Sequence, residues 1–103
     1  MSKVAAIAKL TAAEGQRDAL VKVMEQLVDA AADEAGTELY VLNLDTAEVD
    51  VVWFFELYSD SDALAAHGQS DTMKAITGQL GGLVAGRPEL HFLTPHRAAG
   101  ITL

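Results

Sequence analysis

DVVWFFELYSDSDALAAHGQS, residues 50–70, decides how this chain folds. It opens as a strand over 51–58 carrying one carboxylate, Glu56, in an otherwise apolar run, halts at a polar stop and resumes as a short helix that ends on His67. Strand side chains alternate sides, so Val51, Trp53, Phe55 and Leu57 share one face while Val52, Phe54, Glu56 and Tyr58 share the other. Neither face is polar enough to be left wet, and a Glu set between Phe54 and Tyr58 belongs in a covered region. A mostly apolar enclosure with a few polar groups is the usual construction of a small-molecule site.

Upstream, residues 3–10 (KVAAIAKL) read as a first strand with Val4, Ala6, Ala8 and Leu10 on one side and Ala5, Ile7 and Lys9 on the other. Thr11 and Glu14 have the spacing of a capping box, which starts a helix somewhere between Ala12 and Gln16. Leu20, Val23, Met24, Leu27, Val28 and Ala31 recur at helical steps, and Gly36 is the expected stop. Asp29, Asp33 and Glu34 read as solvated charges on its last turns. Residues 37–44 (TELYVLNL) form a second strand, joined by a turn over 45–50 to the strand already described, a short link that favours antiparallel neighbours.

Downstream, Ser59 with Asp62 is the expected cap of the helix holding His67, and Ser70 or Asp71 caps the next one. That helix carries Met73, Ile76, Leu80, Leu83 and Val84, although Gly78, Gly81 and Gly82 weaken it. A last strand is expected over 89–94 after Pro88, and residues 98–103 form a loose or partner-contacting tail. The order is strand, helix, strand, strand, one or two helices, strand. It predicts a single α+β domain of the ferredoxin-like βαββ(α)αβ type over 1–103, with a core at about 3–97 and a four-stranded antiparallel sheet carrying its helices on one face. Trp53 is assigned to the helix-covered face. The opposite one, with Val52, Phe54 and Tyr58, is then apolar and uncovered, so a homodimer with sheets face to face is expected.

Composition narrows the functions. With seven Lys and Arg against fifteen Asp and Glu, the formal net charge is −8, which disfavours nucleic acid and anionic membrane as partners. There are no cysteines, so thiolate chemistry and disulfides are excluded. The N-terminal apolar run closed by Lys9 is shorter than the ~7 to 15 residue core of a secretory signal, and nothing approaches the ~20 apolar residues of a membrane span. A cytoplasmic location is the expectation. His91 and His96 are five positions apart, an odd step that sends them to opposite faces of an unbroken strand, and no other ligand cluster occurs, so no metal is expected. Nucleophile elbows and dinucleotide fingerprints are also missing.

Three residues are candidates for chemistry. Burial of Glu56 would raise its pKa toward general-base range; the competing reading ties it structurally to a backbone amide or to Arg87 or Arg97. His67, at a helix C-terminus, is placed to accept a proton or bond a substrate, or else is a surface cap. Tyr58 offers a phenol to a substrate oxygen, or simply lines a cavity or interface. Phe54, Tyr40, Val52 and Leu42 are the candidate pocket wall.

The order of short motifs resembles the antibiotic biosynthesis monooxygenase family, which includes quinol monooxygenases, over roughly residues 4–94. The matching pieces are Glu14-Gly15 with Arg17-Asp18-x-Leu20, then Glu34-x-Gly36-x-x-Leu39-Tyr40, Phe55-Glu56-x-Tyr58, Ala63-Leu64-x-x-His67 and Ser70-x-x-Met73-Lys74. The resemblance implies a dimeric α+β barrel that oxidises a hydroxylated aromatic (a quinol or anthrone) with dioxygen and needs no cofactor. It also implies that Glu56 and His67 handle protons while Tyr58, Phe54 and Tyr40 surround the substrate. Where members often carry Trp two residues after the Glu, this chain has Tyr58. The haem-degrading branch fits less well, because no His occurs between Ser70 and Leu90. A non-catalytic ligand-binding dimer and a proton-transferring isomerase are the alternatives.

Overall fold

The computed structural model describes residues 2–103. Its elements are β1 (Val4–Thr11), α1 (Arg17–Ala31), β2 (Thr37–Leu44), β3 (Val51–Tyr58), α2 (Ser61–Gly68), α3 (Asp71–Thr77) and β4 (Glu89–Leu93). They build one four-stranded sheet in the order β2-β3-β1-β4 with every neighbouring pair antiparallel, the α+β ferredoxin-like arrangement. Because β1 and β2 each run antiparallel to the intervening β3, they are parallel to each other, and α1 is the crossover between them.

Register decides which residues meet. Ala6 pairs with Glu56 and Phe92, and Ala8 with Phe54 and Leu90; on the far side of β3, Glu56 and Phe54 pair with Tyr40 and Leu42. Directly paired residues point the same way, so these rows form one face. That face meets the helices: Ala8, Leu10, Val52 and Phe54 pack with Leu20, Met24 and Leu27 of α1 and Ile76 of α3. Leu20 and Met24 are buried while Lys22, Glu25, Gln26 and Asp29 are exposed, so α1 lies on the sheet by one stripe. Each such fully buried side chain contributes about 1.5–3 kcal/mol.

The assignment of faces is therefore the reverse of the sequence expectation. Val52, Phe54 and Tyr58 lie under the helices, and the open face carries Trp53 and Phe55. Trp53 is not core: Lys9 stands 5.5 Å from its ring centroid and its indole N–H donates to Asp45 Oδ2 at 2.9 Å. Leu39, Val41 and Phe55 are partly exposed there, and the tail folds back so that Pro95, Ala98, Ile101 and Leu103 share a groove with Ile7, Leu57 and Leu93.

Several boundaries also move. The Thr11–Glu14 capping box does not form; Gly15 (φ 75°) makes a turn and α1 starts at Arg17 behind Gln16, which offers no side-chain cap. The helix ends at Ala31 and not at Gly36, leaving Glu34 in the following turn. Asp60, in extended backbone one residue before α2, caps it by accepting from Ala63 N at 2.8 Å, in place of Ser59. Ser70 caps α3 by accepting from Met73 N at 3.1 Å. That helix stops at Thr77, and Leu80, Leu83 and Val84 lie in the irregular segment that follows, where Val84 bridges Ala12 just beyond β1. With β4 ending at Leu93, His96 falls outside the strand, so the face argument separating it from His91 has no strand to act through.

Candidate functional site

Between the sheet and the helices lies a cavity of ≈ 500 Å³. Its wall is apolar over most of its extent, with Leu10, Met24, Leu27, Ile76, Leu90 and Phe92 among the lining residues. Polar groups enter from Glu56 on β3, Tyr40 on β2, His67 on α2 and Thr77 on α3. No Lys or Arg lines it among the described residues.

Each polar group is aimed by the element that carries it. Glu56 is buried, at 8% exposure, because the alternation of β3 turns it toward the helices beside Phe54. The Tyr58 hydroxyl, two residues on along the same face, donates to Glu56 Oε1. Burial raises the Glu56 carboxyl above its ordinary 4.5, while the Tyr58 hydrogen bond and the nearby His67 pull the other way. Burial likewise pushes the phenols of Tyr40 and Tyr58 well above 10.0, reinforced at Tyr58 by its bond to Glu56 and at Tyr40 by the Glu56 and Glu34 charges. The alternative partners, Arg87 and Arg97, make no contact with Glu56; the carboxylate answers to a phenol.

His67 reaches the cavity because the short α2, stopped at Gly68, leans its last turn over the end of β2 and β3. The ring packs against Tyr40 (centroids 5.0 Å apart) and Tyr58 (5.4 Å), and Tyr40 continues the stack onto Phe54 at 4.8 Å. His67 Nδ1 lies 2.8 Å from Glu34 Oε1, and the Thr37 hydroxyl donates to the same oxygen at 2.7 Å. His67 is thus buried at 5% exposure and is no surface cap.

Glu56, His67, Tyr40 and Phe54 are all on the cavity wall. Tyr58, fully buried, stands behind Glu56 and does not line the cavity. Val52 belongs to the packed core, and the half-buried Leu42 packs against that core. Glu34, expected from the sequence as a solvated charge, is instead the partner of His67. Among the described residues no group of three or more His, Cys, Asp or Glu converges as metal ligands.

A ferredoxin-like sheet with a ligand-sized cavity under its helices defines the class of protein. The sequence profile of the antibiotic biosynthesis monooxygenase family matches residues 3–79, and the chain belongs to that family. Among solved structures, a Caulobacter crescentus CB15 protein described as a candidate antibiotic biosynthesis monooxygenase is similar at 29% identity and a TM-score of 0.87, over 93% of this chain and 92% of that one. Rv0793 from Mycobacterium tuberculosis is similar at 26% identity and a TM-score of 0.87, over 96% and 100% of the two chains. PA3566 from Pseudomonas aeruginosa, at 24% identity and a TM-score of 0.87 over 94% and 97%, matches in fold. No curated relative matches the chain. No described helix is long and apolar enough to cross a membrane.

Proposed function

We propose that this protein is a cofactor-independent monooxygenase that oxidises a hydroxylated aromatic, of quinol or anthrone type, with dioxygen. The observation that carries the reading is the ≈ 500 Å³ apolar cavity into which Glu56, His67 and Tyr40 project. An aromatic skeleton fills the apolar walls, and its hydroxyl meets these polar groups. The lack of a lining cation favours a neutral ligand over a carboxylate or phosphate.

The chemistry needs little from the protein beyond proton control and dryness. The substrate O–H gives its proton to a positioned group, and the resulting phenolate or enolate passes one electron to dioxygen. The carbon radical and superoxide then couple to a peroxide anion, which takes a proton to become the hydroperoxide. Loss of the proton from the peroxide-bearing carbon then expels hydroxide from the O–O bond, and hydroxide takes up a proton. One oxygen stays as the quinone carbonyl and the other leaves as water. Glu56 and His67 are the proton-handling groups, and Tyr58 acts through Glu56 by holding its carboxyl.

Oxygen consumption by purified, metal-free protein with a panel of hydroquinones and anthrones tests the proposal. Uptake that E56Q and H67A reduce far more than they reduce stability is the expected result; no uptake across the panel overturns it. Solvent deuterium exchange into a ligand without oxygen uptake would instead assign the same groups to isomerisation.

We further propose a homodimer, formed on the open sheet face and not on the Phe54 face. Phe55 is 47% exposed there beside Leu39, Val41 and Leu93, a contiguous apolar surface that a second copy would cover. Light scattering at micromolar concentration should give twice the chain mass for the wild type and the chain mass for Phe55→Asp. A monomeric wild type refutes this part.

A further inference from the structure

The half-buried contact between Glu34 and His67 bears on which polar group of the cavity takes the proton. Glu34 sits in the turn between α1 and β2, where its backbone carbonyl accepts from Thr37 N at 3.2 Å and its Oε1 accepts from Thr37 Oγ1 at 2.7 Å. Thr37 thereby holds both the backbone and the side chain of Glu34. The same Oε1 lies 2.8 Å from His67 Nδ1. A carboxylate oxygen only accepts, so the ring atom facing it carries the hydrogen. In a neutral imidazole the other nitrogen is then a bare lone pair. That nitrogen, Nε2, has no hydrogen-bond partner among the described residues, and His67 is on the cavity wall. The Tyr40 and Tyr58 rings pack against the imidazole, with centroids 5.0 and 5.4 Å away. Titratable groups reach His67 from three elements: Glu34 from the α1–β2 turn, Tyr40 from β2, and Glu56 with Tyr58 from β3. Of these, only Glu34 is hydrogen bonded to the ring.

We propose that Glu34 is a positioning residue that locks His67 as the Nδ1–H tautomer, so that Nε2 is presented to the cavity as the acceptor of the substrate proton. Proton transfer from a substrate O–H to Nε2 makes an imidazolium, and the Glu34 carboxylate stabilises the charge that forms. Glu56, with Oε1 engaged by the Tyr58 hydroxyl, supplies the second polar contact to substrate and is not the base. The assignment of the base rests on the oxidative reading above; the tautomer does not.

Long-range ¹H–¹⁵N NMR of full-length, ligand-free protein labelled in its histidines reads the tautomer directly. It is recorded at a pH where the rings are neutral, and H67A assigns the His67 signals. The wild type should show Nδ1 protonated and Nε2 bare. In E34A the acceptor facing Nδ1 is gone, and the ring should shift toward Nε2–H, with circular dichroism reporting that the fold is kept. A wild-type ring protonated on Nε2, or an E34A ring with the wild-type tautomer, overturns the proposal whether or not a substrate is found. With a hydroquinone that supports oxygen uptake, E34A should lower kcat by roughly 10- to 100-fold with KM nearly unchanged, the scale on which orienting partners act. E34A/H67A should be no slower than H67A; independent losses would overturn the role. If no substrate supports uptake, the oxidative reading falls while the tautomer result still decides the function of Glu34 as an orienting group.

Discussion

Gly36→Ala is the most informative single substitution for the architecture of the site. Gly36 lies at the mouth of β2, and its carbonyl accepts from Ser59 N at 2.9 Å, tying the start of β2 to the end of β3. A Cβ built on Gly36 would overlap the Ala63 Cβ and stand 3.2 Å from Ser59 Oγ and 3.4 Å from Ala63 Cα. The overlapped atom is a methyl on a helix backbone with no rotamer to change, so α2 or the turn must move. Overpacking of this kind costs about 1–3 kcal/mol. At about 4–8 °C per kcal/mol for a domain near this size, Tm should fall by roughly 5–20 °C. Thermal melts measure the shift, and urea unfolding at fixed protein concentration, followed by the fluorescence of the single Trp53, measures the free-energy loss. Ala63→Gly removes the overlapped methyl and alone costs up to about 1 kcal/mol in helix propensity. If the clash is the cause, Gly36→Ala/Ala63→Gly should be more stable than the sum of the single effects by at least ~1 kcal/mol. Additivity within ~0.5 kcal/mol, or a Gly36→Ala protein as stable as wild type, would refute the close approach of β2 to α2.

Because burial raises the Glu56 pKa in the folded state, the folded protein holds that proton longer than the unfolded chain. Stability should therefore fall as pH rises from 4.5 through the raised value, and Glu56→Gln should flatten this part of the profile in thermal melts. Asp45 shifts oppositely: the backbone N–H of Glu48, the Trp53 indole and the Ala47 N–H hold it down to about 2. Its contribution is present above its ordinary 3.8 and fades toward pH 2, so the stability gap between wild type and Asp45→Asn should narrow on acidification. Met73→Trp places a large ring in the cavity and should weaken binding of an apolar fluorescent probe severalfold while circular dichroism stays unchanged. Undiminished probe binding would place the ligand elsewhere.

Much of this was legible in residues and spacing. The strand of residues 51–58 follows from alternation and β-branched and aromatic content, and α1 from a stripe at helical steps. Glu56 was identifiable as a lone carboxylate in an oily strand, and His67 by its place before a helix-stopping Gly68. Glu34 was not, because an acid late in a helical pattern looks solvated until the helix is known to stop at Ala31 and the turn to swing it toward α2. The run from Gly78 to Val84 kept a helical apolar pattern, yet Gly78 becomes a C-cap and Gly82 takes φ 79°, so those side chains pack from turns.

Sequence by itself determined which side chains share a face, because the two-residue period of a strand admits no other grouping. It did not determine which face the helices take, since β3 is apolar on both sides. That choice belongs to the register. Pairing sets Lys9 in the row of Trp53, where its ammonium needs water, and sets Ala6 and Ala8 in the row of Glu56 and Phe54. Small alanines leave room under the helices for a cavity, and only there do a carboxylate from β3, a histidine from α2 and a second carboxylate from a turn come within reach of one another.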